Sequence, residues 1–160
     1  MLGRVMQNRL GSNPIGETRL SNIVRGVILS PIVSTGALIL LCSAYIQGPL
    51  VKIFDFPSAI AEMEHFGLPT APILPIALIA FELGMSALVV TGVYRCLGAL
   101  ALAGFTLMAT FLALRFWELP VGMDRTMAMN GFFEHLGLVG AFVLVALHDL
   151  TKYRTQQERI

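Results

Sequence analysis

The chain has 160 residues, enough for one domain, and 56% of them are hydrophobic whereas only 13% are charged. A soluble domain carries about 25% charged residues, so this composition, with a mean hydropathy of +0.75, excludes an ordinary soluble protein and indicates a membrane protein. The formal net charge of +1 is uninformative by itself, and nothing suggests a nucleic-acid partner.

The first 26 residues predict a polar tail and not a cleavable signal peptide, because G-S-N-P at residues 11–14 interrupts a stretch that carries arginine. With four arginines and one acid, the tail either rests on anionic headgroups or stays solvated and disordered. We expect three segments: this N-terminal tail (1–26), a membrane domain (27–148) and a C-terminal tail (149–160).

Four apolar runs are long enough to cross a hydrocarbon core of about 30 Å, which takes around 20 helical residues. They lie at residues 27–47, 73–93, 96–114 and 131–148. The runs lack the alternation of barrel strands, and backbone polar groups must be satisfied within lipid, so we expect helices. The predicted fold is an all-α polytopic membrane bundle of four helices.

The basic residues are distributed unevenly between the two ends of this bundle. With an even number of spans both termini share a side, and eight of the eleven lysines and arginines fall there. The positive-inside tendency therefore predicts that both termini are cytoplasmic. The three on the opposite side are Lys52, Arg115 and Arg125.

The connection between the first two spans predicts a short amphipathic helix. Asp55 and Pro57 are typical of a helix start, and Gly67 followed by Pro69 is typical of a stop. The helix either lies in the membrane interface or packs on the bundle as a capped loop helix.

Glu82 is the most informative single residue, because it lies at the midpoint of the second span. An ionisable group there costs roughly 2.5 to 3.5 kcal/mol on insertion scales, so we expect it to face protein or water and not lipid.

The sequence offers little support for redox chemistry at cysteine or for a metal site. Cys42 and Cys96 fall at different depths, which disfavours a disulfide. No C-x-x-C pair and no cluster with metal-ligand spacing is visible in the sequence, and we predict no metal site and no catalytic residue.

The order of several short motifs resembles the DoxX family, a group of small bacterial membrane proteins with four spans. The motifs are G-P-L-V-K-I-F at 48–54, M-E-H-F-G-L-P at 63–69, I-A-F-E-L-G at 79–84, T-G-V-Y-R at 91–95 and A-G-F-T-L-M-A-T-F-L at 103–112. The residues that carry the resemblance are Lys52, Gly67, Pro69, Glu82, Gly84 and Arg95.

The resemblance implies a protein of the bacterial inner membrane and an accessory subunit of a redox complex, more than an enzyme acting alone. Some family members resemble subunits of quinone-linked oxidoreductases, and others resemble maturation factors. We therefore expect a non-catalytic membrane subunit that anchors cofactor-bearing redox partners, contacts membrane lipids and carries no intrinsic cofactor. The alternatives are an assembly factor for a redox protein, or a small protein that binds or transports a quinone or lipid. A homo-oligomer is compatible with the sequence.

A polar pocket near the outer ends of the spans is the candidate site. Its members would be Glu82, Glu134, His135, Lys52, Arg115 and Tyr45. In a structural interpretation, Glu82 is protonated, or is hydrogen-bonded to backbone groups or to Ser and Thr hydroxyls of adjacent spans, and it fixes helix register; the candidate hydroxyls are those of Ser86, Thr106 and Thr110. In a functional one, Glu82 with His135 or Glu134 binds a quinone head or relays its protons. The sequence favours the structural interpretation, because no redox centre accompanies the acid.

Overall fold

A computed structural model describes residues 22, 24–69 and 71–158, so most of the predicted N-terminal tail lies outside the described residues. The chain divides into two compact units, Met1–Ala37 and Leu38–Ile160. In the first unit, residues 24–28 are helical. The second unit contains all six predicted site residues.

The described chain is about 85% helical and contains no strand. In chain order the helices are α1 (Pro31–Leu41), α2 (Ser43–Phe54), α3 (Phe56–His65), α4 (Ile73–Thr91), α5 (Arg95–Ala113), a 3-10 turn (Phe116–Glu118) and α6 (Met123–Gln157).

The prediction of an all-α membrane bundle is confirmed. The helices α4, α5 and α6 are long and apolar enough to cross a membrane, and α1 with α2 makes a fourth span if the bent pair is counted as one. Only 17% to 33% of each of the three apolar windows is buried within the protein. Their remaining apolar surface therefore suits lipid and not water.

The first predicted span differs from the observed helices in shape and length. The helix bends at Cys42, although the hydrogen bonds from the Cys42 amide to the Leu38 carbonyl (3.0 Å) and from the Ile46 amide to the Cys42 carbonyl (3.1 Å) continue across the bend. Beyond the bend, α2 runs through Pro49 to Phe54. Lys52, which the sequence placed in a connection, thus lies in the last turn of α2.

The predicted short helix between the first two spans is present as α3. Its start is capped by the Asp55 side chain, which accepts from the Ser58 amide at 3.2 Å. Its end has Gly67 at φ +68°, and the Leu68 amide donates to the Met63 carbonyl at 2.9 Å. This is a left-handed glycine stop, and the apolar face packs on the bundle because Met63 is only 3% exposed.

The helices α4 and α5 approach closely at the end where the turn joins them. Gly92 ends α4 with φ +85°, and the Arg95 guanidinium Nε donates to the Val89 carbonyl at 2.8 Å. A Cβ at Gly98 would lie 2.8 Å from the Met85 carbonyl oxygen, so only glycine allows this spacing. The T-G-V-Y-R motif is therefore explained by a tight interhelical turn.

The last helix both caps its neighbour and extends past the predicted span. Asp149 of α6 is 7% exposed, and its Oδ2 accepts from the Cys96 amide in the first turn of α5 at 3.1 Å. The helix runs from Met123 to Gln157, well beyond 131–148, because no glycine or proline after His148 ends it. Residues 149–157 of the predicted C-terminal tail are therefore helical.

An aromatic cluster fills the junction between α5, the 3-10 turn and α6. Trp117 lies with its ring centroid 5.8 Å from Phe132 and 5.2 Å from Phe116, both edge-on. Phe132 is 9% exposed, whereas Trp117 is 48% exposed. A half-exposed tryptophan at the end of a membrane bundle is typical of an aromatic anchor at the membrane interface.

Candidate functional site

A groove of about 770 Å³ runs between α4 and α5 and is closed on one side by α2 and α3. Of its eighteen lining residues, fifteen are apolar or glycine and three are charged. On α5 the lining extends from Leu100 to Ala113, a length of roughly 20 Å at 1.5 Å per residue. The volume falls in the range of small-molecule sites, about 300 to 1,000 Å³.

The groove is open to the outside of the bundle along most of its length. Ala77 of α4 and both Gly104 and Met108 of α5 line it and are exposed. These residues lie in helices that span the membrane, so the groove faces lipid. A molecule dissolved in the bilayer could enter it from the side without crossing water.

Its three charged side chains are Lys52, Glu62 and Glu82. Lys52 Nζ lies 3.3 Å from Glu62 Oε2, which joins the last turn of α2 to α3. Glu82 is 6% exposed and faces the backbone of α2, where a Cβ at Gly48 would lie 3.6 Å from Glu82 Oε2. The carboxyl group of Glu82 therefore lies close to the backbone of α2 at Gly48.

None of the hydroxyl groups expected to hold Glu82 is bonded to it. The Thr106 hydroxyl donates to the Leu102 carbonyl and the Thr110 hydroxyl to the Thr106 carbonyl, each at 2.6 Å. Ser86 Oγ is buried and has no hydrogen-bond partner among the described residues. The structure therefore shows no hydrogen bond from Glu82 to any of these three candidate hydroxyls.

Tyr45 and His135 belong to a second polar set between α2, α5 and α6. The Tyr45 hydroxyl is hydrogen-bonded to the Thr106 hydroxyl, and His135 Nδ1 lies 3.1 Å from Thr110 Oγ1. Both side chains are hydrogen-bonded within the bundle and do not line the groove.

The remaining two predicted site residues lie at the surface. Arg115 pairs with Glu118 at 3.2 Å, and both side chains are about half exposed. Glu134 is exposed on α6 and does not line the groove. Of the six residues proposed to converge, the structure brings Lys52 and Glu82 to one cavity and places the other four elsewhere.

Comparison with known families concerns the part of the chain that contains the groove. Residues 37–115 match the family model for DoxX. This segment is a DoxX domain. Searches of curated proteins and of solved structures found no match. The resemblance drawn from the motifs is thereby confirmed, and the protein is a DoxX-domain protein with several membrane spans.

Every residue that lines the groove falls inside the DoxX domain, whereas α6 lies outside it. The motif residues divide by role. Lys52 and Glu82 line the groove, while Gly67 and Arg95 shape turns. A Cβ at Gly84 would meet nothing within 4 Å, so packing within the protein does not explain this glycine.

Two polar residues were missed by sequence reasoning. Nothing in the sequence paired Glu62 with Lys52, ten positions earlier. Asp149 follows the last apolar run and was assigned to the tail. Its position at the end of an uninterrupted helix was the available signal, because the helix has no stop before it.

Proposed function

We propose that this DoxX-domain protein is an accessory membrane subunit of a quinone-linked redox assembly, and that its groove holds the quinone. The observation that carries the proposal is a lipid-facing, mainly apolar groove with three charged side chains on one part of its wall. A quinone likewise has a polar part and an apolar part, because its ring oxygens accept hydrogen bonds and its tail is apolar.

The side chains at the groove fit a quinone head. The Lys52 ammonium has three protons, and its contact with Glu62 leaves donors for a carbonyl oxygen. A protonated Glu82 could donate to a second oxygen. The rings of Phe81 and Phe105 lie with centroids 5.5 Å apart and both line the groove, which offers aromatic surface beside Glu82.

The assignment to a redox assembly rests on the family resemblance and not on the groove. The groove by itself supports binding of a membrane-dissolved amphiphile. Membership of an assembly predicts stable copurification, at a fixed ratio, with a cofactor-bearing oxidoreductase. An assembly factor would associate only while its client matures, so pulse-labelled pull-downs at successive times distinguish the two roles.

Quinone binding can be tested by extracting the protein with its surrounding lipid in polymer nanodiscs and measuring the molecules that remain bound. We expect quinone to be enriched over its bulk membrane fraction by about tenfold. Glu82→Leu removes the polar group at the head position and should abolish the enrichment. Glu64→Leu on α3 is the matched control, because Glu64 is exposed and does not line the groove.

A second variant separates loss of binding from loss of fold. Gly104 lines the groove, and a Cβ there would meet nothing within 4 Å, so Gly104→Leu should fill the groove and leave the helix packing intact. Enrichment that survives both Glu82→Leu and Gly104→Leu would refute the site. Retention of phospholipid in place of quinone would refute the quinone assignment.

A further inference from the structure

The only cation among the described residues lining the groove is already neutralised. Lys52 Nζ contacts Glu62 Oε2 at 3.3 Å, and the Lys52 side chain is 15% exposed while that of Glu62 is 42% exposed. The pair therefore lies at the mouth, with the lysine facing inward and the glutamate outward. An entering head group meets an ion pair and not a free ammonium.

Glu82 then determines the net charge of the groove. It is 6% exposed and forms no ion pair within the described part of the chain. With Lys52 and Glu62 cancelling, the groove is neutral if Glu82 is protonated and carries one negative charge if it is ionised. In neither state is the groove positive.

We infer that Glu62 is a specificity-determining residue, which makes the groove reject anionic amphiphiles and accept those with an uncharged polar head. The inference rests on the proposed function for what occupies the groove. A carboxylate or phosphate head would have to displace Glu62 from Lys52 and would approach a second acid, and such like-charge contacts strongly disfavour the wrong partner. A neutral carbonyl or hydroxyl head meets no such repulsion.

This selectivity distinguishes the site from a lipid-binding groove for ordinary membrane components. Fatty acids and acidic phospholipids are abundant, share the apolar tail of the proposed ligand and could otherwise fill the cavity. Because the apolar lining cannot tell one tail from another, discrimination must come from the three charged side chains. Glu62 is the member of that set whose removal exposes a positive charge.

The test compares probes that differ in the head group. Purified protein in nanodiscs of zwitterionic lipid is titrated with dodecanol, dodecanoate and decylubiquinone, with binding measured by competition against labelled decylubiquinone. For the wild-type protein we expect both neutral probes to bind and dodecanoate to bind at least about tenfold more weakly.

Glu62→Gln frees Lys52, so it should strengthen dodecanoate binding by about tenfold relative to decylubiquinone binding. Adding Lys52→Gln to this variant should remove the gain, since the freed cation is its cause. Glu64→Gln, on the same helix but away from the groove, is the control and should not alter the order of the probes.

The outcomes separate the inference from the proposed function. If decylubiquinone binds the wild-type protein but dodecanoate binds as tightly as dodecanol, the inference is wrong and the proposed function stands. Unchanged dodecanoate binding in a folded Glu62→Gln protein also overturns the inference. If no neutral probe binds the wild-type protein, the proposed function fails and takes the inference with it.

Discussion

The contact between α4 and α5 gives a sharp prediction for Gly98→Ala. An added methyl group would lie 2.8 Å from the Met85 carbonyl oxygen, 2.9 Å from Leu88 Cβ and 3.2 Å from Val89 Cγ2. Two of these distances are too short for any real Cβ, and the nearest atom belongs to the backbone. It cannot rotate away, so the two helices must separate.

The expected loss of stability in Gly98→Ala is the difference between two opposing free-energy contributions. Overpacking typically costs about 1 to 3 kcal/mol, while replacing a helical glycine by alanine returns about 1 kcal/mol. Separating the helices also loosens Ala99 and Leu102, both of which are 0% exposed, so we take the upper part of the range. The net destabilisation should be about 2 kcal/mol, which corresponds to a decrease of roughly 4–8 °C in Tm for a chain of this size.

Thermal unfolding of the purified protein in one detergent, followed by size-exclusion chromatography of heated samples, measures the effect. Gly104→Ala is the matched control, because it makes the same change on the same helix, where a Cβ meets nothing within 4 Å. Its Tm should be unchanged or slightly higher. Equal Tm values for Gly98→Ala and the wild-type protein would refute the close approach of α4 and α5.

Two further predictions concern buried polar contacts. Asp149→Ala leaves the Cys96 amide without its acceptor and should cost about 1 to 2 kcal/mol, whereas Asp149→Asn keeps an oxygen and should cost less; equal losses in thermal unfolding would refute a capping role. Thr106→Val leaves the buried Tyr45 hydroxyl without a partner and should cost about 1 to 3 kcal/mol, more than Tyr45→Phe. The double variant should be more stable than Thr106→Val alone, and additive losses in the same assay would contradict the contact.

Hydropathy and turn residues were sufficient to predict most of the fold. Apolar run length gave α4 and α5 almost to the residue, and Asp55 with Gly67 gave both ends of α3. These signals are local, because a cap or a stop acts on its own turn. The bend at Cys42 carried no such signal, and it divided the first run into two helices.

The candidate site was predicted only in part, because membership depends on which way each side chain points. Sequence depth placed Tyr45, Lys52 and His135 near the outer ends of the spans and Glu82 at the midpoint of its own, but depth does not give the face of a helix. The direction in which a side chain points depends on how the helices pack. Tyr45 packs edge-on against Phe142, with ring centroids 5.4 Å apart, and does not line the groove. Only Lys52 and Glu82 face the cavity together.

The structure changes the balance between the two interpretations of Glu82. A buried acid that fixes helix register should be hydrogen-bonded, since an unmet polar group costs about 1 to 3 kcal/mol. The hydroxyls of Thr106 and Thr110, which the sequence offered as partners for Glu82, donate to backbone carbonyls. Ser86 Oγ has no hydrogen-bond partner among the described residues. Glu82 instead faces a lipid-accessible cavity beside Lys52. On this reasoning Glu82→Leu should bind no quinone yet unfold at the wild-type temperature or above it, and a large loss of thermal stability would restore the structural interpretation.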